Sequence, residues 1–140
     1  MYKTILLALD TTASDRTLLA HVSQLAKVHQ SKLLLLHVAD GWAARHFDEL
    51  SLAESEEMKT DRAYLESAAA ELRDQGLEVS THLALGNPPS EILKIVESRC
   101  CDLIAMTTHG HRLLADLFLG STIEAVRHKT HVPLLIVRSE

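Results

Sequence analysis

Four consecutive leucines at positions 33 to 36 constrain the fold of this chain more than any other feature. They lie within an apolar segment from Lys32 to Val38 that predicts a β-strand. An uninterrupted apolar run is typical of a strand that is covered on both faces, as in parallel sheets flanked by helices. The run therefore favours an α/β protein with helices on both sides of its sheet.

Strand-like and helix-like segments alternate along the whole chain of 140 residues. Helices are expected from Ser14, after a capping box at Ser51, after Asn87, and from Gly120. The helix that follows Ser51 is expected to end at Gly76, a residue that readily adopts the left-handed conformation at a helix end. Strands are expected at residues 3–9, 32–38, 77–85 and 102–106, and from Val132 to Val137. This βαβ alternation predicts one domain, residues 1–140, with a doubly wound five-stranded parallel sheet in the order 3-2-1-4-5 and helices on both faces.

The predicted strand order also predicts where a ligand would bind. In doubly wound sheets, ligands bind at the carboxyl ends of the strands, where the strand order reverses. Here the reversal falls between strands one and four, whose ends are marked by Asp10 and Met106. Asp10 could instead cap the turn into the first helix, or help to hold Mg²⁺ beside a phosphate.

A glycine-containing segment follows the fourth strand and precedes the fourth predicted helix. It begins with Thr107 and Thr108, reaches Gly110, and after nine further residues ends in the triplet Gly120-Ser121-Thr122. A glycine loop before a helix offers backbone N–H groups and the positive end of the helix dipole to a phosphate. Ser121 could equally be the cap of that helix, since Glu124 completes a capping box.

Composition excludes several classes of partner. The net charge is −5 and no basic run occurs, which argues against nucleic-acid binding. The longest apolar segments have the length of strands, so no membrane span is expected. The first residues do not resemble a secretory signal, and Cys100 and Cys101 are adjacent and suit a reducing compartment, so we expect a cytoplasmic protein.

Support for catalysis or for a metal centre is thin. The chain lacks the phosphate-loop motif that ends in Lys-Ser or Lys-Thr, and no catalytic residue stands out, so at most a slow hydrolysis of a bound nucleotide is expected. His109 and His111 lack a clear third metal ligand. A flavodoxin-type carrier using residues 11–14 conflicts with the 4% aromatic content, and a phosphoacceptor receiver domain conflicts with the absence of an acidic neighbour at Asp10.

Several motifs together resemble the universal stress protein family, and the resemblance runs nearly from end to end. They are the opening Tyr2 to Asp10 segment, Leu36-His37-Val38, Gly86-Asn87-Pro88, Thr108-His109-Gly110, Gly120-Ser121, and the closing segment from Val132 to Arg138. The resemblance implies a stress-response regulatory protein that binds ATP or AMP, with or without Mg²⁺, between strands one and four.

The same resemblance implies the site residues. They are Ala8, Asp10, Val38, Met106, Thr107, Gly110, Gly120, Ser121 and Thr122. Asp10 and Val38 would lie near the adenosine, and Gly110, Gly120, Ser121 and Thr122 would hold the phosphates. Thr107 departs from the pattern, because nucleotide-binding members have a glycine there. The alternative is therefore a dimeric interaction module that binds no nucleotide.

The last strand predicts self-association. The segment from Val132 to Val137 is apolar, lies at an edge of the predicted sheet and has little chain left to cover it. Bare apolar edge strands pair readily with another copy, so a homodimer through this strand is expected. Nucleotide occupancy would then alter the dimer or its affinity for a further protein partner.

Overall fold

A computed structural model describes residues 1–39, 51–109 and 113–139, with the backbone alone for residues 51–55, 109 and 113–120. The elements within these ranges alternate regularly between strands and helices. In chain order they are β1 (Thr4–Ala8), α1 (Asp15–His29), β2 (Lys32–Ala39), α2 (Ser51–Asp74), β3 (Glu78–Leu85), α3 (Pro88–Ser98), β4 (Leu103–His109), α4 (Leu113–Lys129) and β5 (Leu134–Ser139).

The five strands form one parallel sheet in the order β3-β2-β1-β4-β5. The predicted fold class and strand order are thereby confirmed. β1 lies at the centre and pairs with β2 on one side and β4 on the other, so the strand order reverses between β1 and β4. β3 and β5 are the two edge strands, as expected for both.

Alternating side chains of the central strands divide the core into two layers. Ile5 and Leu7 of β1 pack on one face with the buried residues of α1 and α2. Leu6 packs on the other face with Ile92 of α3 and Val126 of α4. The four leucines of β2 are divided between the two layers and are all at most 2% exposed. This explains the uninterrupted apolar run, because each face of a sheet that is covered on both sides needs apolar side chains.

Two predicted helix boundaries are confirmed by local geometry. The Asn87 side chain caps α3 by accepting a hydrogen bond from the backbone N–H of Ser90 at 3.1 Å. Gly76 follows α2 with a φ of +86°, a left-handed conformation that glycine adopts without steric strain.

The expected start of the last helix at Gly120 is wrong. α4 begins at Leu113, so Gly120 and Ser121 lie inside the helix and Ser121 is not its N-cap. Residues 113–119 are mostly leucine and alanine, which are strong helix formers. Their combined propensity outweighs the single glycine, which costs about 1 kcal/mol relative to alanine.

The expected ends of the last two strands are also wrong. β4 continues beyond Met106 to His109, and β5 runs over Leu134–Ser139 instead of from Val132 to Val137. Thr107 pairs with Val137, so the β-branched threonine extends the ladder instead of beginning a loop. Pro133 has no N–H to donate, and β5 begins directly after it.

Candidate ligand site at the carboxyl end of β1

A notch lies at the carboxyl end of the sheet because β1 is shorter than both of its neighbours. β1 ends at Ala8, which pairs with Leu36 of β2. β2 continues to Ala39, and β4 continues to His109 beyond its last pair with β1, Leu7 with Ala105. The two neighbouring strands therefore flank the point at which the chain leaves β1, which is the switch point of the sheet.

The chain leaves β1 through residues 9–14, which we call the Asp10 loop. The half-buried Asp10 carboxylate accepts hydrogen bonds from the Thr12 backbone N–H at 3.0 Å and from the Thr12 hydroxyl at 2.6 Å. The Ser14 hydroxyl donates to the same carboxylate at 3.3 Å. This is the turn-capping role for Asp10, and the structure confirms it.

Asp15, the first residue of α1, holds the same loop from the inside of the protein. Its side chain is 0% exposed and accepts hydrogen bonds from the backbone N–H groups of Asp10 at 3.1 Å and Thr11 at 2.9 Å. The Tyr64 hydroxyl of α2 donates to it at 2.7 Å. Burial raises the pKa of Asp15 to about 6, and the negative charge of Asp10 adds to this, while the Tyr64 hydrogen bond opposes it. Burial and the contact with Asp15 also raise the pKa of Tyr64.

His37 of β2 holds the first residue of the loop. Its ring Nδ1–H donates to the Leu9 carbonyl oxygen at 2.9 Å. On the opposite side of the ring, Nε2 lies 3.7 Å from a carboxylate oxygen of Asp61 in α2. The side chains of His37 and Asp61 are both largely buried, so this contact lies inside the protein.

Thr11 has an unusual backbone conformation within the loop. Its φ is +62°, in the left-handed region that a β-branched residue rarely adopts. Such a conformation persists only where surrounding contacts impose it. The hydrogen bond from the Thr11 N–H to Asp15 is one of these contacts.

The structure brings one group of predicted site residues together at the notch. Ala8, Val38, Met106 and Thr107 lie at or near the carboxyl ends of β1, β2 and β4, and Asp10 lies in the loop that leaves β1. Thr107 is only 3% exposed.

The predicted phosphate-binding residues are placed differently. Gly120, Ser121 and Thr122 lie in the interior of α4, where Thr122 is buried and Ser121 is exposed. Gly110 lies outside the described residues, as does His111. The expected glycine loop is therefore not observed as a loop at Gly120, because the helix already includes that residue.

Asp15, Tyr64, His37 and Asp61 were not predicted from the sequence. A signal for Asp15 was nonetheless present, because it precedes Leu18 by three residues and Val22 by seven. That spacing places a carboxylate on the buried apolar stripe of α1. Asp61 similarly precedes the buried Leu65 by four residues.

Metal ligands and membrane spans are not found in the part of the chain that the structure describes. Residues 1–39, 51–109 and 113–139 contain no group of three or more histidine, cysteine or acidic side chains arranged to hold a metal ion. In the same ranges, no helix combines the length and the apolar character needed to cross a membrane. Cys100 and Cys101 are both free thiols, and burial raises the pKa of Cys101 to about 11.

The fold and the register of its strands define a doubly wound α/β protein with a switch-point notch at the carboxyl end of its central strands. Comparison with known proteins identifies the family, since the model of the universal stress protein family matches residues 1–138. The chain belongs to that family. The universal stress protein MJ0577 of Methanocaldococcus jannaschii is 31% identical to this chain over an alignment 155 positions long, which covers 99% of this chain and 96% of that protein.

Solved structures agree with this assignment. The structure of MJ0577 superposes with a TM-score of 0.85 at 30% identity, covering 100% of this chain and 98% of that one. A universal stress protein in complex with cAMP gives a TM-score of 0.71 at 18% identity over 99% of this chain and 98% of its own. A universal stress protein from Archaeoglobus fulgidus in complex with dAMP gives a TM-score of 0.68 at 21% identity, covering 96% of this chain and 97% of that one. At these lower identities the likeness concerns the fold.

Proposed function

We propose that this protein is a stress-response regulator that binds an adenine nucleotide, ATP or AMP, between β1 and β4 and acts as a homodimer in the cytoplasm. Residues 1–140 would form one domain. The observation that carries the proposal is the notch at the carboxyl end of β1, where β2 and β4 extend past the central strand. Ligands of doubly wound sheets bind at this position.

The adenosine would occupy the notch. Val38 lies on the β2 side, and Met106 and Thr107 lie on the β4 side, with Ala8 at the end of the strand between them. Asp10 follows Ala8 by two residues and would contact the ribose, or a Mg²⁺ ion carried by the nucleotide. Solved relatives with cAMP and dAMP support an adenine nucleotide as the ligand class.

The phosphates would bind through Gly110, Gly120, Ser121 and Thr122. In the described conformation residues 113–120 are helical, so the N–H groups of Gly120 and Ser121 are positioned to donate within α4. Phosphate binding at Gly120 therefore requires residues 113–120 to leave the helix. Glycine at this position weakens the helix by about 1 kcal/mol relative to alanine, which facilitates the change.

The homodimer would form through β5. This strand is at the edge of the sheet, and Ile136 is 39% exposed, while Leu134, Leu135 and Val137 are half-buried. Pairing with the same strand of a second copy would satisfy the open edge and cover these apolar side chains.

The second candidate function is a dimeric interaction module of the same family that binds no nucleotide. Three observations favour it. Thr107 is buried where nucleotide-binding members have glycine, the Asp10 carboxylate caps its own turn, and Gly120 lies in a helix. In this case Gly110 and Gly120 would have only structural roles.

Substitutions at Gly120 and Thr107 separate these two functions. Gly120→Ala should strengthen the helix by about 1 kcal/mol and so weaken ATP binding about fivefold, while Gly120→Val should block the approach of phosphate to the backbone. Thr107→Gly should bind more tightly if Thr107 crowds the ligand. Calorimetric titration with ATP and Mg²⁺ measures the ATP affinity of all three variants. An unchanged affinity in Gly120→Val would show that the proposed phosphate site is misplaced.

A further inference from the structure

The Asp10 loop is held at three successive backbone positions by two side chains that lie outside the loop, one on β2 and one at the start of α1. The Leu9 carbonyl accepts from His37, and the N–H groups of Asp10 and Thr11 both donate to Asp15. These are the backbone groups on either side of the crevice carboxylate. The orientation of Asp10 therefore depends on where the side chains of His37 and Asp15 are held.

Both of these side chains contact the same face of α2. Asp15 accepts from the Tyr64 hydroxyl at 2.7 Å, and the His37 ring lies 3.7 Å from Asp61. Asp61 and Tyr64 are three residues apart, so they are neighbours on the helix surface. Leu65 of the same helix is 1% exposed and anchors this part of α2 in the core.

The conformation of Thr11 provides an independent reason for such a clamp. A threonine at a φ of +62° is strained, and the strained conformation is retained only while its partners hold it. The Thr11 N–H donates to the same carboxylate oxygen of Asp15 that accepts from Tyr64. Loosening α2 would therefore release the strained residue next to Asp10.

We propose that Asp61 and Tyr64 of α2 are positioning residues, which act through His37 and Asp15 to fix the Asp10 loop and thereby couple the docking of α2 to ligand affinity in the crevice. The effect on affinity rests on the proposed nucleotide binding. The effect on the loop does not, because it concerns contacts that are present without ligand. Movement of α2 and occupancy of the crevice then influence each other.

The variant that tests the clamp is Tyr64→Phe, which removes one hydroxyl and keeps the ring. A matched control is Tyr2→Phe, the same chemical change beside the amino end of β1, where the Tyr2 ring packs edge-on against His29. Amide hydrogen exchange of the ligand-free full chain should be about tenfold faster at Asp10 and Thr11 in Tyr64→Phe, because a hydrogen bond to a carboxylate is lost. The exchange of buried strand amides, such as that of Leu34, should be unchanged.

Unchanged exchange at Asp10 and Thr11 would overturn the clamp. Equal acceleration at all amides would also overturn it, because Tyr64 would then contribute only to global stability. Tyr2→Phe should leave the exchange of the Asp10 loop as it is in the wild type.

Titration of the same proteins with ATP and Mg²⁺ tests the coupling to the crevice. Affinity should fall severalfold in Tyr64→Phe and stay constant in Tyr2→Phe. If the wild type binds ATP and Tyr64→Phe loosens the loop with no change in affinity, the coupling is refuted. If the wild type binds no ATP, the proposed function fails, whereas the exchange result still decides whether the clamp exists.

Discussion

Replacing Asp15 with asparagine should change how the stability of this protein depends on pH. The Asp15 side chain is fully buried, and its pKa is raised from 3.8 to about 6, chiefly by burial. The folded protein therefore binds this proton more tightly than the unfolded chain does. The contribution to stability is fully present below about pH 3.8 and is lost as the pH rises through about 6.

The size of the effect follows from the two pKa values. The difference between 3.8 and about 6 corresponds to about 3 kcal/mol, at about 1.4 kcal/mol for each pH unit. Between about pH 4.5 and about pH 7, roughly 2 kcal/mol of this contribution to the free energy of unfolding should be lost. Glu66 and Glu124, which are exposed and have lowered pKa values, act in the opposite direction, so the wild type alone does not isolate Asp15.

Urea unfolding of the wild type and of Asp15→Asn at these two pH values provides the test. Asparagine does not ionise, so the difference in unfolding free energy between the two proteins should change by roughly 2 kcal/mol from one pH to the other. Asp74→Asn in the last turn of α2 makes the same chemical change at an exposed position and serves as the control. Parallel pH profiles for the wild type and Asp15→Asn would refute a raised pKa at Asp15.

Three further substitutions test the fold and the proposed assembly. The Leu35 side chain in the centre of β2 is 0% exposed, so Leu35→Ala should lower the free energy of unfolding, measured by urea unfolding, by about 3 to 4 kcal/mol. A loss below about 1 kcal/mol would contradict the place of Leu35 in the core. Asn87→Ala should lose about 1 kcal/mol, because the Ser90 N–H loses its acceptor; an unchanged urea midpoint would show that the cap contributes nothing. Ile136→Glu on β5 should convert the homodimer into a monomer, as measured by sedimentation equilibrium at a protein concentration of roughly tens of micromolar. A wild type that is already monomeric at this concentration would contradict the proposed dimer.

The sheet could be predicted from the sequence because its signals are local. The leucine run of β2 indicated a strand buried on both faces, and the alternation with helices allowed few arrangements other than the observed order. Asn87 and Gly76 marked helix ends through chemistry that acts within a few residues. For such features, neighbouring residues in the chain contain the relevant information.

The errors concern features that depend on contacts or on competing local preferences. Thr107 belongs to β4 because it pairs with Val137, which is thirty positions away and gives no local signal. The beginning of α4 depends on a competition between one glycine at position 120 and several strong helix formers before it.

The clamp around Asp10 shows the same limit for the site. A carboxylate on the apolar stripe of α1 was visible in the sequence at Asp15, but its partner Tyr64 lies 49 residues further along the chain. Only the packing of α2 against the sheet brings the two together. Sequence patterns could therefore predict the switch point of the sheet, whereas the side chains that hold the Asp10 loop became apparent only in the folded structure.

Bound ligand is the most direct test of the proposed function. The purified protein should be denatured, and the released small molecules identified by mass analysis; the emptied and refolded protein should then be titrated with ATP and Mg²⁺ in a calorimeter. We predict a released adenine nucleotide, or binding with a dissociation constant on the order of micromolar. Absence of released nucleotide, together with no heat of binding at roughly millimolar ATP, would contradict the nucleotide site and assign the chain to the interaction-module alternative.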